Sequence, residues 1–348
     1  MHTKFIVSTL LSMLLVASNL SGAAPLGESA KFNLSNRTVI GGEERWDYLT
    51  YETKHHRVFV SRSTHVQAID ADSKQIIGDI PNTEGVHGIA IADDLNVGFT
   101  SNGKSNSVTA FDLSTLKQIK VIKISGSNPD GIFYEPKSKH VFTFNGRSSN
   151  ATVIDAVSLK EINTVALAGK PEAAVSDLAG NIYVNIEDKN EIAVIDGVTN
   201  KVVKSYQIGS GVRPTGLAID QKHDRLFSVC GNGKAVILDS ESGKVIAEVP
   251  IGSGPDAAAF DSSLGLAFSS NGEGSLTVIK ETDPDHFSVV QNAETQKGAR
   301  TLAYDQESHR AFLVTASFGD APPATKDDPK PRPPILPKSV VILEVTSK

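Results

Sequence analysis

One unit recurs seven times along this chain, and no other feature restricts the possible fold as much. Successive copies begin at Arg45, Val86, Pro129, Pro171, Pro214, Pro255 and Gly298, spaced 41 to 43 residues apart. Each copy carries a short apolar strand, a turn, a strand opening on an aromatic, a polar turn, an apolar run closing on Asp, and a last strand after Lys. The aromatic falls at Phe59, Phe99, Phe142, Tyr183, Phe227, Phe268 and Phe312. The closing Asp falls at Asp70, Asp112, Asp155, Asp196 and Asp239, with Lys280 and Glu344 in the last two copies. A single four-stranded unit of this length cannot bury both of its faces, so neighbouring copies must stack and share a core. The pattern predicts an all-β, seven-bladed β-propeller of four-stranded antiparallel blades. The seventh copy stops after its third strand at residues 340–345, while residues 32–40 form a strand belonging to no copy. The N-terminal strand is therefore expected to close the last blade, which removes an open sheet edge.

Residues 24–348 thus read as one domain, although 348 residues would ordinarily suggest two. A hydrophobic share of 39% and a charged share of 21% suit a soluble globular protein and exclude a disordered or fibrous chain. One cysteine excludes a disulfide framework, Cys-based zinc sites and the paired cysteines of c-type haem attachment. Residues 1–23 read as a secretory signal peptide: Lys4, an apolar stretch over residues 5–16, then Ser21-Gly22-Ala23. The stretch is shorter than the ~20 residues of a spanning helix. Export to the periplasm or medium, no membrane span and a monomeric state are expected. The net charge of −6, or −7 once Lys4 is removed, argues against nucleic acid or anionic lipid as partner.

The second-strand segments Phe99-Thr100-Ser101-Asn102, Phe142-Thr143-Phe144-Asn145 and Phe268-Ser269-Ser270-Asn271 resemble the signature of the YVTN family of forty-residue-repeat propellers. Ala193-Val194-Ile195-Asp196 followed by Thr199-Asn200-Lys201 is similar to that family's next strand and turn. The resemblance implies an exported protein with a binding or scaffold role, and supplies no shared catalytic motif. The repeated Gly-His and Trp-Asp blade signatures of WD40 repeats are lacking, and Trp46-Asp47 occurs once, at the wrong place in its copy.

Strand polarity in a propeller gathers two repeat positions around one mouth of the central channel. The second residue of each copy is Trp46, His87, Asp130, Glu172, Thr215, Asp256 or Ala299. The end of each second strand is Arg62, Asn102, Asn145, Ile186, Cys230, Asn271 or Thr315. A ligand site at the mouth would then comprise Arg62, His87, Asn102, Asp130, Asn145, Glu172, Asp256 and Asn271. Carboxylate oxygens suit Ca²⁺ or another divalent cation, with Asp130, Glu172 and Asp256 as ligands and His87 as a possible base. Turn chemistry explains the Asn-Gly pairs equally well.

The closing aspartates read as outer-hairpin turn residues rather than catalytic groups. His56, His140, His223 and His309 read as surface turn residues at the opposite hairpins, and Cys230 as a semi-buried free thiol. Residues 321–338 hold seven prolines between the second and third strands of blade seven. Their composition favours an extended surface insertion, and their position suits a lid or docking arm. The expected function is a non-enzymatic exported scaffold binding a protein, peptide or envelope ligand at the mouth. The alternative is a metal-assisted hydrolase of lactonase type, resting on an acidic mouth and on fold analogy.

Overall fold

The computed structural model describes residues 31–326 and 328–347. The expected leader at residues 1–23 lies outside them. Among the described residues, 28 strands form seven antiparallel sheets of four. Six sheets are contiguous in sequence. The seventh takes Leu302–Asp305, Arg310–Thr315 and Val341–Ser347, with Phe32–Val39 as its outer strand. That N-terminal strand pairs Phe32 with Ser347 and Val39 with Val341. The innermost strands of successive blades touch one another, and the seventh touches the first, so the sheets close into a ring.

The burial pattern follows the residue pattern. Second and third strands are covered on both faces by adjacent blades and read as continuous apolar runs, such as Ile192 to Ile195. Fourth strands are mostly exposed, as in Gln118–Lys123. The seven second-strand aromatics lie in the seams between blades, none more than 3% exposed. At the closing seam Phe32 meets Phe268 edge-on at 5.0 Å, and Phe268 stacks on Tyr304 at 4.7 Å. Burying a side chain of this size stabilises by about 1.5–3 kcal/mol, so the aromatics are the main apolar fasteners of the ring.

The closing aspartates hold the outer turns, as expected. Asp70, Asp155 and Asp239 each accept backbone N–H groups of the following turn, from Ser73, Ser158 and Ser242. The proline-rich insertion is anchored at its base. Gly319 donates to the Pro334 carbonyl and Leu336 to that of Ser317, both at 2.9 Å. Phe318 and Ile335 pack against the core shared by blades seven and one.

Candidate functional site at the channel mouth

Strand register identifies which side chains ring the mouth. In each blade one innermost-strand residue pairs with the second-strand aromatic: Thr50, Ala90, Phe133, Val175, Ala218, Ala259 and Ala303. Three residues earlier stand Asp47, His87, Asp130, Glu172, Thr215, Asp256 and Arg300. Five of these are the expected positions. Trp46 and Ala299 are corrected to Asp47 and Arg300, because the repeat boundaries at Arg45 and Gly298 sit one residue too early. The signal was present: these residues precede the aromatic by twelve positions in six blades and by eleven in blade four. In blades two to six a register shift falls at this point, as between Val86 and Ile89 or Pro129 and Ile132. Such irregularities re-aim a side chain away from the sheet.

The ring brings four carboxylates together with an imidazole and a guanidinium. His87 Nδ1 lies 2.6 Å from Asp47 Oδ2 and 3.7 Å from Asp130 Oδ1. Arg300 bridges Asp256 at 3.0 Å and Asp47 at 3.3 Å. Lys170 reaches Glu172 and Glu187, each at 2.5 Å, and Arg213 pairs with Glu187 at 2.6 Å. Burial raises the Asp256 carboxyl to about 6, with Arg300 opposing. Burial also raises Asp130 against the pull of His87. In Glu172, burial and then the Asp130 charge outweigh Lys170 and push its pKa up. Burial alone would depress His87, yet the Asp47 hydrogen bond and the surrounding carboxylates raise its pKa overall. His87 therefore favours the imidazolium, a paired cation rather than a free base.

Asp130, Glu172 and Asp256 are neighbours, but they do not form the expected cation set. Glu172 is committed to Lys170 and Asp256 to Arg300. The mouth atoms that approach within 4.8 Å of one another are those of Asp47, His87 and Asp130. Both Asp47 oxygens there already face a cationic donor.

The second expected group is corrected more strongly. Arg62, Asn102, Asn145 and Asn271 are fully buried. Asn145 Oδ1 accepts from Thr143, while its amide donates to Asn150 and Thr152, each bond within 3.0 Å. Asn102 makes the same set with Thr100, Ser107 and Thr109, and Asn271 with Ser269, Ser275 and Thr277. These asparagines knit the second strand to the third. Wholly buried and bonded between these two strands, they stand inside the blade wall rather than in the channel. Arg62 reaches Gln67, the Gly41 carbonyl and Glu44 at 2.5–3.2 Å, again inside the blade wall. Cys230 is wholly buried, and burial pushes its thiol up to about 11, which leaves it inert.

Below the ring the channel narrows to a cavity of about 170 Å³ lined by Tyr48, Gly131 and Gly216. A Cβ at Gly131 would stand 2.7 Å from the Glu172 carbonyl oxygen, and one at Gly216 would meet Ala257 backbone at 2.6 Å. Glycine permits the innermost strands to approach this closely.

A larger cleft of about 800 Å³ opens beside it, between the base of the proline-rich insertion and the rim. Arg45, Trp46, Lys297, Arg300, Phe318 and Arg332 line it. Trp46 and Phe318 stand 6.1 Å apart. Arg45 donates to the Pro333 carbonyl at 3.0 Å, tying the insertion to blade one. Burial and then the charges of Arg332 and Arg300 lower the Arg45 pKa, and Asp320 is the acid that shares the lining.

Ring, blades and closing strand define a seven-bladed β-propeller with a charged mouth. Among the described residues no helix is long and apolar enough to cross a membrane. No family model matches the chain. It is 33% identical over 79 residues to the uncharacterized protein YncE of Salmonella typhi and of Salmonella typhimurium. That stretch spans 22% of this chain and 22% of either relative. Hydrazine synthase of Kuenenia stuttgartiensis shares the fold at a TM-score of 0.69 and 16% identity, over 79% of this chain and 93% of that one.

Proposed function

We propose that this chain is an exported propeller of the YVTN type that acts as a non-enzymatic scaffold, holding an acidic peptide segment of a protein ligand in the cleft beside the mouth. The observation that carries this reading is the cleft itself, where four cationic side chains and an aromatic pair converge under the proline-rich insertion. Arginine meets carboxylates with two parallel hydrogen bonds and also stacks on aromatic rings. A proline-rich wall is extended before binding and loses little entropy on contact. Export rests on the leader pattern of residues 1–23, and the YVTN reading on the repeat and its second-strand segments. A hydrolase reading gains no support, since the raised His87 pKa and the prior pairing of every mouth carboxylate but Asp130 work against a base beside a metal.

Calorimetry with an extended Glu-rich peptide carrying one aromatic, and with its Gln counterpart, tests the reading. Saturable binding of the acidic peptide alone is expected, weakened about tenfold or more by Arg332→Glu with Arg45→Glu. Equal heats from both peptides, or binding unaltered in the double variant, would contradict it.

A further inference from the structure

At the end of the blades opposite the mouth, a second cluster joins blades five and six. Asp220 ends the first strand of blade five, Pro214–Asp220, and His223 lies in the turn that follows. Glu281 belongs to the third strand of blade six, Ser275–Asp283. The repeat explains why these groups meet. The residue after the closing position of one blade packs against the end of the first strand of the preceding blade. In blade four that residue is Gly197, and a Cβ there would lie 3.4 Å from the Glu135 side chain. Its counterparts Ala71, Leu113, Ala156 and Ser240 carry no charge. Only in blade six is it a glutamate, so one seam sets carboxylate against carboxylate.

The acids that end the first strands of other blades have donors. Glu135 accepts from Ser138 and Lys137 backbone and from the Ser138 hydroxyl. Asp261 accepts from Ser263, Leu264, Tyr304 and His309. In the blade five–six seam, Asp220 is 2% exposed and Glu281 6%, yet Asp220 Oδ2 and Glu281 Oε2 have no hydrogen-bond partner. His223 Nδ1 stands 2.6 Å from Asp220 Oδ2 and 2.9 Å from Glu281 Oε1, and bonds only the glutamate. One imidazole N–H cannot serve two carboxylates. Asp220 Oδ1 accepts from the Lys222 N–H at 3.0 Å, but the two carboxylates facing each other across the seam share only the His223 imidazole, an arrangement unfavourable without a further cation.

We propose that Asp220, His223 and Glu281 form a divalent transition-metal site that clamps blade five to blade six. Their donor atoms lie within 4.8 Å of one another. Tetrahedral donors around such an ion stand about 3.4 Å apart, slightly wider than the present contacts. Rotation of His223, whose side chain is 31% exposed, supplies that opening. An imidazole with two carboxylates selects a first-row ion such as Zn²⁺ over Ca²⁺, which prefers a full oxygen shell. Asp220 also lines a surface cleft of about 620 Å³, which gives the ion its access route and room for a water ligand. The mouth triad differs, because His87 and Arg300 already neutralise Asp47.

The test is a thermal-shift series on the full chelated protein with Zn²⁺, Mn²⁺ and Ca²⁺, paired with visible absorption of the Co²⁺-loaded protein. Zn²⁺ is expected to raise the Tm by several degrees and Ca²⁺ to leave it unchanged. The Zn²⁺ shift and the Co²⁺ bands should vanish in Glu281→Gln and His223→Gln and persist in His87→Gln. No shift in the wild type, a response retained without Glu281 and His223, or one lost in His87→Gln would overturn the site. Should Glu281→Gln fail to fold, the half-exposed His223→Gln decides the outcome. A rise in metal-free Tm in Glu281→Gln, with no Zn²⁺ response in the wild type, would mark the pair as two acids sharing a proton.

Discussion

Asn145 shows how a residue that looks like ligand chemistry becomes architecture. Its amide group holds one acceptor and two donor contacts inside the sheet, all buried. Asn145→Ala strands Thr143, Asn150 and Thr152 without their partner, and should lower unfolding free energy by about 2–4 kcal/mol in a urea titration. Ligand affinity of the folded variant should be unchanged. At the mouth the reverse holds for Asp47, His87, Asp256 and Arg300, which are held by ion pairs across blades. Asp256 has a pKa of about 6 in the fold against an ordinary value of about 4, so the folded state binds more protons between these values. Its contribution is fully present below about pH 4 and is lost as pH rises through about 6. His87, also raised, loses its contribution in the same direction above about pH 6.5. The Asp256 share of stability should therefore decline by roughly 2 kcal/mol from pH 4.5 to pH 7, and Asp256→Asn should remove that share from the slope of denaturant midpoints against pH.

Among the described elements, the N-terminal strand Phe32–Val39 carries the greatest leverage, because it is the one outer strand among the described residues not adjacent in sequence to its blade. Phe32 is wholly buried against Phe268, and its backbone exchanges hydrogen bonds with Gln291 of blade six. Phe32→Ala should cost about 3–5 kcal/mol, measured as a fall in the denaturant midpoint at an unchanged slope. A change below about 1 kcal/mol would show that ring closure does not depend on this strand. Blades and closing strand were legible because periodic aromatics and apolar runs report burial directly. The mouth was legible where the innermost strand follows the common repeat, at His87, Asp130, Glu172 and Asp256. At Asp47 and Arg300 the boundary had to be counted from the aromatic instead. The pairing of Glu281 with His223, which reads from the sequence only as a turn residue, was not legible for another reason. Repeat analysis finds what blades share, whereas their seam arises from what one blade has and its neighbours lack.

At the scale of the whole molecule, the ring divides chemistry between its two ends. One end carries a narrow channel guarded by paired charges, with a cationic, aromatic cleft beside it. The other carries hairpin turns and the acidic seam between blades five and six. Arg300 is paired with Asp256 and Asp47, so the positive charge the cleft offers a partner comes chiefly from Arg45, Lys297 and Arg332. The chain as a whole is acidic, and this local excess of the opposite sign makes association with an acidic segment salt-dependent. Trp46 is the sole tryptophan and stands in the cleft, so its emission reports occupancy there without a label. The most direct measurement is a titration of Trp46 fluorescence with the Glu-rich peptide at two salt concentrations. A saturable spectral change that weakens at high salt and disappears in Arg45→Glu with Arg332→Glu is expected. An emission spectrum that stays constant throughout, while the peptide binds elsewhere on the ring, would contradict the account.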